Sequence, residues 1–460
     1  MKLYIRTYGC QMNERDSENI AVDFLERGWT LTENPQEADV AIVNTCSVRE
    51  QAERKASGLI GRILYDRVER KATLPVVGVT GCMAQNKGGE LVKEFPELDF
   101  VAGPRKTHLV PQFALSILEK RKRGELLPEL PEGMRRRTFK YSDALVDVSD
   151  DTEGHLHINR HMGAPVCAFV SIMQGCQMNC SYCIVPKVRG IQRSRPIEDV
   201  VKEVKYLAER GTKEVMLLGQ VANAYGRDFA SSGGVSNFVR LLQEINDISG
   251  IERIRYTSPH PAYFNDDLIN AYGSLEKLCE YVHLPLQSGS DTILKKMNRP
   301  YRVKKFLEIV ERLRSRAKGM SISTDIIVGY PSETDNDFQQ TRQAFADAAF
   351  DMAFIFKYSP REGTKSALLP DDISEEIKDT RNKILLDDLA KTSLDFNNAM
   401  VGSVEQVLVE SHARRGDGLL MGRTRNHRKA IFAGEDNLIG RLVNVKIQSA
   451  TTTALDSILL

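Results

Sequence analysis

The chain has 460 residues, 42% of them hydrophobic, which predicts a globular protein of about two to four domains. Its 63 basic and 62 acidic side chains leave a net charge of +1, which excludes a general attraction to nucleic acid and requires any RNA binding to come from local patches. No apolar run reaches the roughly 18 residues needed to cross a bilayer, and the first residues lead into a strand-like segment, so a cytoplasmic protein without membrane contacts is expected.

The first predicted elements are three strand-like runs, each of which ends at a cysteine. Cys10, Cys46 and Cys82 follow one another at equal intervals of 36 residues, about the length of one strand–helix unit. Parallel neighbouring strands joined by right-handed crossovers end at the same edge of their sheet, so we expect the three thiols to converge there. Three buried structural cysteines are the alternative, but the same position in three successive units favours ligation of an iron–sulfur cluster.

A helix predicted over residues 104–120 is followed by an irregular, highly charged stretch. This stretch is basic at Lys120–Arg123 and Arg135–Arg137 and ends in the acidic run Asp147–Glu153. Such charge runs are more often solvated surface than RNA contacts, so we interpret residues 121–161 as a connector.

The second cysteine group has the spacing C-x3-C-x2-C and follows an apolar strand-like run. Its members are Cys176, Cys180 and Cys183. Three thiolates at this spacing can bind three irons of a cubane [4Fe-4S] cluster and leave the fourth iron open for another ligand. Zinc is the alternative, but it needs four ligands, and no fourth Cys or His lies at short spacing.

Strand-like and helix-like segments alternate between residues 162 and 395, giving six βα units. Six units are too few for a closed eight-stranded barrel. A helix with an apolar stripe, predicted over 197–207 before Gly211, is typical of these units. The strands are predicted at 167–173, 214–218, 251–257, 281–286, 323–328 and 353–357.

The pattern changes beyond residue 397 to short β runs separated by glycines and turn residues, which predicts a small β-barrel. Between residues 412 and 430, six arginines and lysines stand against a single acidic residue. Such a patch on a β surface is typical of phosphate-backbone binding, with a solvated charged face as the alternative. The residues predicted to contact RNA are Arg423, Arg425 and Lys429.

The spacing of the second cysteine group, with an aromatic residue just before its third cysteine, resembles the radical S-adenosylmethionine (SAM) superfamily. The resemblance implies an open partial (β/α)6 barrel and a cluster whose open iron chelates SAM and cleaves it reductively. It also implies that SAM is held at the carboxyl ends of the barrel strands, where capping of helices or loops is the alternative role for polar side chains. The candidate SAM-binding residues are Tyr182, Gln220, Ser258, Gln287 and Asp325.

Two N-terminal stretches, Thr7–Asn13 and Asn44–Arg49, are similar to patterns of the methylthiotransferases, and Gly422–Arg428 resembles a TRAM domain that binds tRNA. The resemblance runs along nearly the whole chain and is closest to the MiaB type of this family. It implies methylthiolation of C2 of N6-isopentenyl (dimethylallyl) adenosine at position 37 of tRNA. The N-terminal cysteines would carry the cluster that delivers sulfur. Acid–base residues cannot activate this C–H bond, so no catalytic acid or base is expected.

The implied cofactors are two [4Fe-4S] clusters and SAM, which serves as methyl donor and radical source. The implied partners are a tRNA anticodon stem-loop carrying isopentenyl adenosine and a low-potential electron donor such as flavodoxin or ferredoxin, and a monomer is expected. An adenosine in a loop can enter the site without opening a duplex. The alternatives are methylthiolation of threonylcarbamoyl adenosine or of a ribosomal-protein aspartate, and a non-enzymatic metal-containing protein that binds RNA.

The predicted fold class is α/β with a final β domain. The four predicted regions are an N-terminal doubly wound α/β domain at 1–120, a connector at 121–161, a central partial (β/α)6 barrel at 162–395 and a TRAM-like β-barrel at 396–460.

Overall fold

The structure is a computed structural model that describes residues 1–47, 50–70, 74–123, 144–149, 161–229 and 236–460. Most of the predicted connector lies outside the described residues. The chain forms two compact units, of which the first comprises residues 1–163, 174–177 and 184–191, and the second comprises 164–173, 178–183 and 192–460. No helix in the described part of the chain is long and apolar enough to span a bilayer.

The first unit contains a six-stranded parallel sheet. Its strands are β1 (Lys2–Thr7), β2 (Thr30–Leu31), β3 (Val40–Thr45), β4 (Val76–Gly81), β5 (Phe100–Ala102) and β6 (Leu145–Asp147), in the sheet order β2-β1-β3-β4-β5-β6. Its helices are α1 (Gln11–Leu25), α2 (Glu50–Glu69), α3 (Cys82–Lys87), α4 (Gly89–Glu94), α5 (Val110–Lys122) and α6 (Val185–Arg189).

Helices cover both faces of this sheet, which is why every residue of β3 and β4 is buried. On one face Val40 and Ile42 pack against α1 and α5. On the other face Ala41 and Val43 pack against α2, α3 and α4. Alternate residues of one strand therefore enter two separate cores, and the predicted doubly wound α/β fold is confirmed.

Strand β6 lies inside the stretch that the sequence analysis assigned to the connector. It pairs in parallel with β5, with Phe100 opposite Leu145. Three residues at a sheet edge, none of them fully buried, are too short to produce a detectable periodicity. The sheet of the N-terminal region therefore includes a strand that lies beyond the predicted boundary at residue 120.

The second unit contains six parallel strands in two three-stranded sheets, ordered β11-β10-β7 and β12-β13-β14. An open array of six strands confirms the predicted partial (β/α)6 barrel. The strands are β7 (Cys167–Ser171), β8 (Met173–Gln174), β9 (Arg193–Ser194), β10 (Glu214–Leu218), β11 (Arg253–Tyr256), β12 (Tyr281–His283), β13 (Ser321–Val328) and β14 (Met352–Lys357), of which β8 and β9 form a separate pair. The helices are α7 (Ile197–Glu209), α8 (Asn237–Asn246), α9 (Asp266–Ala271), α10 (Asp291–Lys296), α11 (Val303–Arg316), α12 (Asp335–Ala348) and α13 (Glu375–Asn398).

The chain ends in a closed five-stranded barrel with its own apolar core. Closure leaves no unpaired sheet edge, which confirms the predicted small β-barrel. Its last strand was not predicted from the sequence. The strands are β15 (Val404–His412), β16 (Leu419–Thr424), β17 (Lys429–Ala433), β18 (Leu442–Ala450) and β19 (Leu455–Leu459), in the order β15-β16-β17-β19-β18.

Two buried arginines at the beginning of β11 join the β-barrel to the central strands. They donate to backbone carbonyl oxygens of the barrel, which therefore packs against the amino ends of those strands. The bonds run from Arg253 to the carbonyls of Arg423 (2.6 Å) and Gln406 (2.9 Å), and from Arg255 to those of Arg425 (2.7 Å) and Thr424 (2.9 Å).

Candidate active site

The N-terminal cysteines lie at one edge of the first sheet, because the strands that precede them end in register. In the pairing, Thr45 at the end of β3 stands opposite Gly81 at the end of β4. Cys46 directly follows β3, Cys82 is the first residue of α3, and Cys10 is the N-cap of α1. The structure thus brings the three predicted thiols to the same edge, as the 36-residue spacing implied.

Glycines immediately before two of these cysteines allow the close approach of the loops. Gly81 has φ +93°, and a Cβ there would lie 2.3 Å from the side-chain oxygen of Asn44. Gly9 has φ +153°, and a Cβ there would lie 3.0 Å from the Cβ of Cys46. A larger residue at either position would push the cysteine loops apart.

Two buried asparagines tie the loops together beneath the thiols. The Asn13 amide donates to the carbonyl of Thr45 (2.9 Å), and the Asn44 amide donates to the carbonyl of Asn13 (2.9 Å) and to the hydroxyl of Ser17 (2.9 Å). The Sγ of Cys10 lies 3.8 Å from Oδ1 of Asn13. Asn13 therefore contacts the loops of two of the three cysteines.

Arg189 is a buried residue of this site that the sequence analysis missed. Its Nε donates to the Sγ of Cys82 (3.3 Å), and its Nη2 donates to Oδ1 of Asn13 (2.8 Å) and pairs with Asp16 (2.8 Å). Burial raises the pKa of the Cys82 thiol to about 11, and Arg189 opposes that rise. Arg189 and Cys82 are 107 residues apart, and no sequence pattern connects them.

These groups fit an iron–sulfur cluster. None of the eight cysteines, all of which the structure describes, forms a disulfide bond. The Nη1 of Arg189 is buried without a hydrogen-bond partner, which leaves a donor available to an acceptor such as a cluster sulfur. Among the described residues, no three His, Cys, Asp or Glu side chains are grouped to hold a single metal ion. A cubane cluster does not need its ligands grouped around one ion, because each thiolate binds a different iron.

The second cysteine group lies in the loop between β8 and α6, and a segment after α10 holds this loop. Ser181 donates through its amide to the carbonyl of Met297 (3.0 Å) and through its hydroxyl to the carbonyl of Lys296 (2.9 Å). The Asn298 side chain donates to the carbonyl of Asn179 (2.7 Å). We call residues 296–299 the clamp segment, since four successive residues contact the cysteine loop.

The fourth residue of the clamp segment, Arg299, is a second buried arginine that the sequence analysis missed. Its Nη1 donates to the Sγ of Cys180 (3.3 Å), and its Nε donates to the hydroxyl of Tyr301 (2.9 Å). Tyr182 packs against the apolar cluster that contains Met297, and burial raises the pKa of its phenol while Arg299 opposes the rise. Each cysteine group therefore has one arginine that donates to a cysteine sulfur.

The four polar candidates for SAM binding lie at or beyond the carboxyl halves of successive strands. Gln220 follows β10, and its side-chain oxygen is buried without a hydrogen-bond partner. Ser258 follows β11 with φ +54°, and Gln287 follows β12 with φ +73°, conformations that non-glycine residues adopt rarely. Asp325 is adjacent to Gln287, whose amide donates to the Asp325 carbonyl (2.8 Å). Their roles toward SAM stay predictions.

His260 is a buried imidazole whose ring packs against that of Tyr301. Burial, with a further contribution from Arg299, lowers its pKa to about 2. Its Nδ1 accepts from the amide of Ala262 (3.1 Å). An imidazole with so low a pKa is unsuited to proton transfer at neutral pH.

The three predicted RNA contacts have different environments. The Arg425 guanidinium is occupied within the chain, pairing with Glu280 (2.8 Å) and donating to the carbonyls of Glu276 (2.9 Å) and Leu278 (3.0 Å). Arg423 pairs with Glu410 but is partly exposed, and Lys429 is exposed. In this structure Arg425 therefore joins the β-barrel to the central strands, and the RNA-binding prediction depends chiefly on the other two residues.

Three family models match successive parts of the chain. They are the uncharacterized protein family UPF0004 at residues 2–103, the radical SAM superfamily at residues 170–345 and the TRAM domain at residues 398–460. Among solved structures, the radical SAM methyltransferase TsrM from Kitasatospora setae, with tryptophan and a SAM analogue, covers 77% of this chain and 72% of its own at a TM-score of 0.52. At 14% identity this likeness shows the shared fold alone.

Curated relatives match along the full length. The tRNA-2-methylthio-N(6)-dimethylallyladenosine synthase of Akkermansia muciniphila is 45% identical over 452 residues, which cover 98% of this chain and 97% of the relative. The synthase of the same name from Opitutus terrae is 44% identical over 467 residues, which cover 99% and 96%. With relatives this similar from end to end, the chain belongs to the tRNA-2-methylthio-N(6)-dimethylallyladenosine synthase family, the MiaB-type radical SAM methylthiotransferases.

Proposed function

We propose that the chain is a tRNA-modifying enzyme that replaces the C2 hydrogen of N6-isopentenyl (dimethylallyl) adenosine at position 37 of tRNA with a methylthio group. One observation carries the proposal: a chain related end to end to synthases named for this reaction contains two thiolate triplets, each with a buried arginine donating to a cysteine sulfur. A non-enzymatic RNA-binding protein has no need of two such sites.

The radical SAM domain uses an iron–sulfur cluster and SAM. We assign that cluster to Cys176, Cys180 and Cys183. When bound, these groups supply the one-electron chemistry that an inert C–H bond requires, which acid–base residues cannot supply. The clamp segment orients the thiols of this loop. The side chains that we expect to hold SAM are Tyr182, Gln220, Ser258, Gln287 and Asp325.

We assign a second [4Fe-4S] cluster, the carrier of the transferred sulfur, to Cys10, Cys46 and Cys82. Asn13 keeps two of the cysteine loops together, and Arg189 places a positive donor beside the third thiol. A donor at a cluster sulfur stabilises negative charge on it. The role proposed for these two residues is to position and charge-balance the thiols, not to react.

The proposed partners are a tRNA anticodon stem-loop with isopentenyl adenosine and a low-potential electron donor of the flavodoxin or ferredoxin kind. A monomer in the cytoplasm remains our expectation. The TRAM-like barrel supplies the RNA contacts, chiefly through Arg423, whose side chain is partly exposed, and Lys429, whose side chain is exposed. An adenosine in the anticodon loop is unpaired, so it can be turned into the site without breaking base pairs.

Mass spectrometry of tRNA nucleosides from cells lacking this protein tests the proposal. We expect the 2-methylthio nucleoside to disappear and N6-isopentenyl adenosine to accumulate, with recovery when the parent gene is restored. Loss of a methylthiolated threonylcarbamoyl adenosine instead, or an unchanged tRNA profile, would contradict the proposal.

A binding experiment tests the RNA contacts separately. Replacing Arg423 and Lys429 by Ala should weaken tRNA binding and lower the slope of log affinity against log salt by roughly 0.7 to 0.9 for each phosphate that the protein no longer neutralises. Lys446→Ala, an exposed lysine on β18, is the matched control. An affinity and slope equal to those of the parent protein would identify the patch as solvated surface.

A further inference from the structure

Strand β14 carries two large aromatic side chains that are exposed in spite of their size. Phe354 is 45% exposed and Phe356 is 37% exposed. Their rings are stacked, with centroids 6.5 Å apart and planes inclined by 14°. Because side chains two residues apart on a strand point to the same face, the pair forms one continuous aromatic surface, which we call the phenyl shelf.

The phenyl shelf lies on the interior face of the partial barrel. Phe354 stands opposite Asp325 of β13, and Phe356 stands opposite Ile327. The alternate residues of β13, Ile326 and Val328, belong to the core between strands and helices, so the shelf is on the opposite side. In the part of the chain that the structure describes, β14 pairs only with β13, which places the shelf at the open side of the strand array.

A chain of polar side chains borders the shelf. The His283 imidazole lies between the hydroxyl of Ser323 (2.8 Å) and the carboxylate of Asp325 (3.1 Å). The same imidazole packs against Phe354 at a centroid distance of 5.9 Å. A carboxylate repels phosphate and accepts hydrogen bonds from N–H groups, so the shelf suits an uncharged heterocycle with an N–H donor and not the RNA backbone.

We propose that Phe354 and Phe356 bind the modified base of the substrate RNA, with one ring stacked on the adenine and the other in contact with its isopentenyl group. This inference rests on the function proposed above and names the residues that select its substrate. Aromatic rings stack on any base, so stacking alone gives affinity but does not discriminate between modified and unmodified adenosine. The five-carbon substituent adds apolar area, and burying this area against an apolar side chain is favourable. This contact distinguishes the isopentenylated base from plain adenosine.

The test compares two anticodon stem-loops that differ only in the isopentenyl group of one adenosine. With the parent protein we expect tighter binding of the modified stem-loop. Replacing both phenylalanines by Ala should weaken its binding by roughly 5- to 100-fold and remove most of the preference over the unmodified stem-loop. Leu386→Ala, which removes another side chain 45% exposed on a different element, is the control and should change neither affinity.

Replacement of both phenylalanines by Leu separates the two parts of the inference and guards against a folding defect in the Ala variant. Leucine keeps apolar contact with the isopentenyl group but cannot stack, so affinity should fall for both stem-loops while the preference persists. SAM also contains adenine, so the alternative is that the phenyl shelf binds SAM and not the RNA base. If the shelf binds RNA, SAM binding measured by equilibrium dialysis should stay at the parent level in every variant.

Three results would overturn the inference while leaving the proposed function intact, provided that the parent protein methylthiolates the modified stem-loop. They are an unchanged preference in the Ala variant, a loss of preference in the control, and a fall in SAM affinity without a fall in RNA affinity. A parent protein that neither prefers nor modifies the isopentenylated stem-loop would instead remove the proposed function, and the inference with it.

Discussion

The N-terminal cysteines are brought together by the topology of a sheet, whereas the second group is brought together by a loop of eight residues, 176–183. In the first case the strands β1, β3 and β4 must pair in register before the thiols meet. In the second case the spacing is local, but the clamp segment, more than a hundred residues further on, holds the loop. A local motif therefore still depends on the fold of the strand array for its shape.

The arginines at the two cysteine groups differ in their charge balance. Arg189 is paired with the carboxylate of Asp16 at 2.8 Å. Arg299 donates to a thiol, a phenol and a carbonyl, and no carboxylate pairs with it in the described part of the chain. The first group thus has a neutral ion pair beside it, and the second has an uncompensated positive charge. An anionic cluster is stabilised more by the second arrangement.

The largest expected effect is the complete loss of reductive SAM cleavage when the second cysteine group is replaced. Replacing Cys176, Cys180 and Cys183 by Ala should abolish formation of 5′-deoxyadenosine from SAM, because the cluster that supplies the electron has lost its ligands. Iron and sulfide bound by the N-terminal cysteines should remain, since those ligands belong to a different sheet. Chromatography of the SAM products and iron analysis under anaerobic conditions measure both. Persistent reductive cleavage in this variant would refute the assignment.

The reciprocal variant has a narrower effect. Replacing Cys10, Cys46 and Cys82 by Ala should leave cleavage of SAM intact but abolish the methylthiolated nucleoside, because the sulfur carrier is lost while the radical source is kept. Mass spectrometry of tRNA from an in vitro reaction detects the product. Product at the parent yield, with no sulfide added, would exclude an N-terminal sulfur donor.

Removal of the uncompensated charge should change the reduction potential of the second cluster. Arg299→Met should lower it by roughly 50–150 mV, since a positive charge about 5 Å away at an effective dielectric constant of about 20 stabilises the reduced form. Arg299→Lys keeps the charge and should recover most of the shift. Potentiometric titration followed by electron paramagnetic resonance measures it. Equal potentials in Arg299→Met and the parent protein would show that the charge is screened.

The ion pair at the first cluster should behave in the opposite way, with an effect on stability and little effect on potential. Arg189→Met leaves Asp16, whose side chain is mostly buried, without its ion-pair partner and should destabilise the protein by about 3–5 kcal/mol. The double variant Arg189→Met/Asp16→Asn removes both charges and should recover most of that loss. Urea unfolding of the cluster-free proteins measures the free energies. A double variant as unstable as the single one would show that Arg189 acts through Cys82 and not through Asp16.

The strands were predictable because their signal is local. Residues 214–218 coincide with β10, and 353–357 differ from β14 by one residue at the start. The convergence of the N-terminal cysteines could also be predicted, because equal spacing of strand ends implies a common sheet edge. Arg189 and Arg299 could not, since a buried arginine and its sulfur partner are related only by tertiary contact.

Charge composition was a weaker guide at the C-terminus. The basic patch predicted RNA binding for Arg423, Arg425 and Lys429 alike. In the fold, the Arg425 side chain joins the β-barrel to Glu280, and Arg428 pairs with Asp351 at 2.6 Å. A run of basic residues does not reveal which of them find a carboxylate elsewhere in the chain, because those partners lie about 80 to 150 residues away in sequence.

The arginines at the start of β11 determine which side chains of the β-barrel can be substituted without loss of its attachment. They hold the β-barrel through peptide carbonyls, which every residue possesses. The side chains of Gln406, Thr424 and Arg423 can therefore be substituted without loss of those bonds, provided that the backbone keeps its path. Attachment and recognition are thus encoded separately. The exposed side chains of the barrel, including those proposed to bind RNA, can therefore change while the attachment of the barrel is kept.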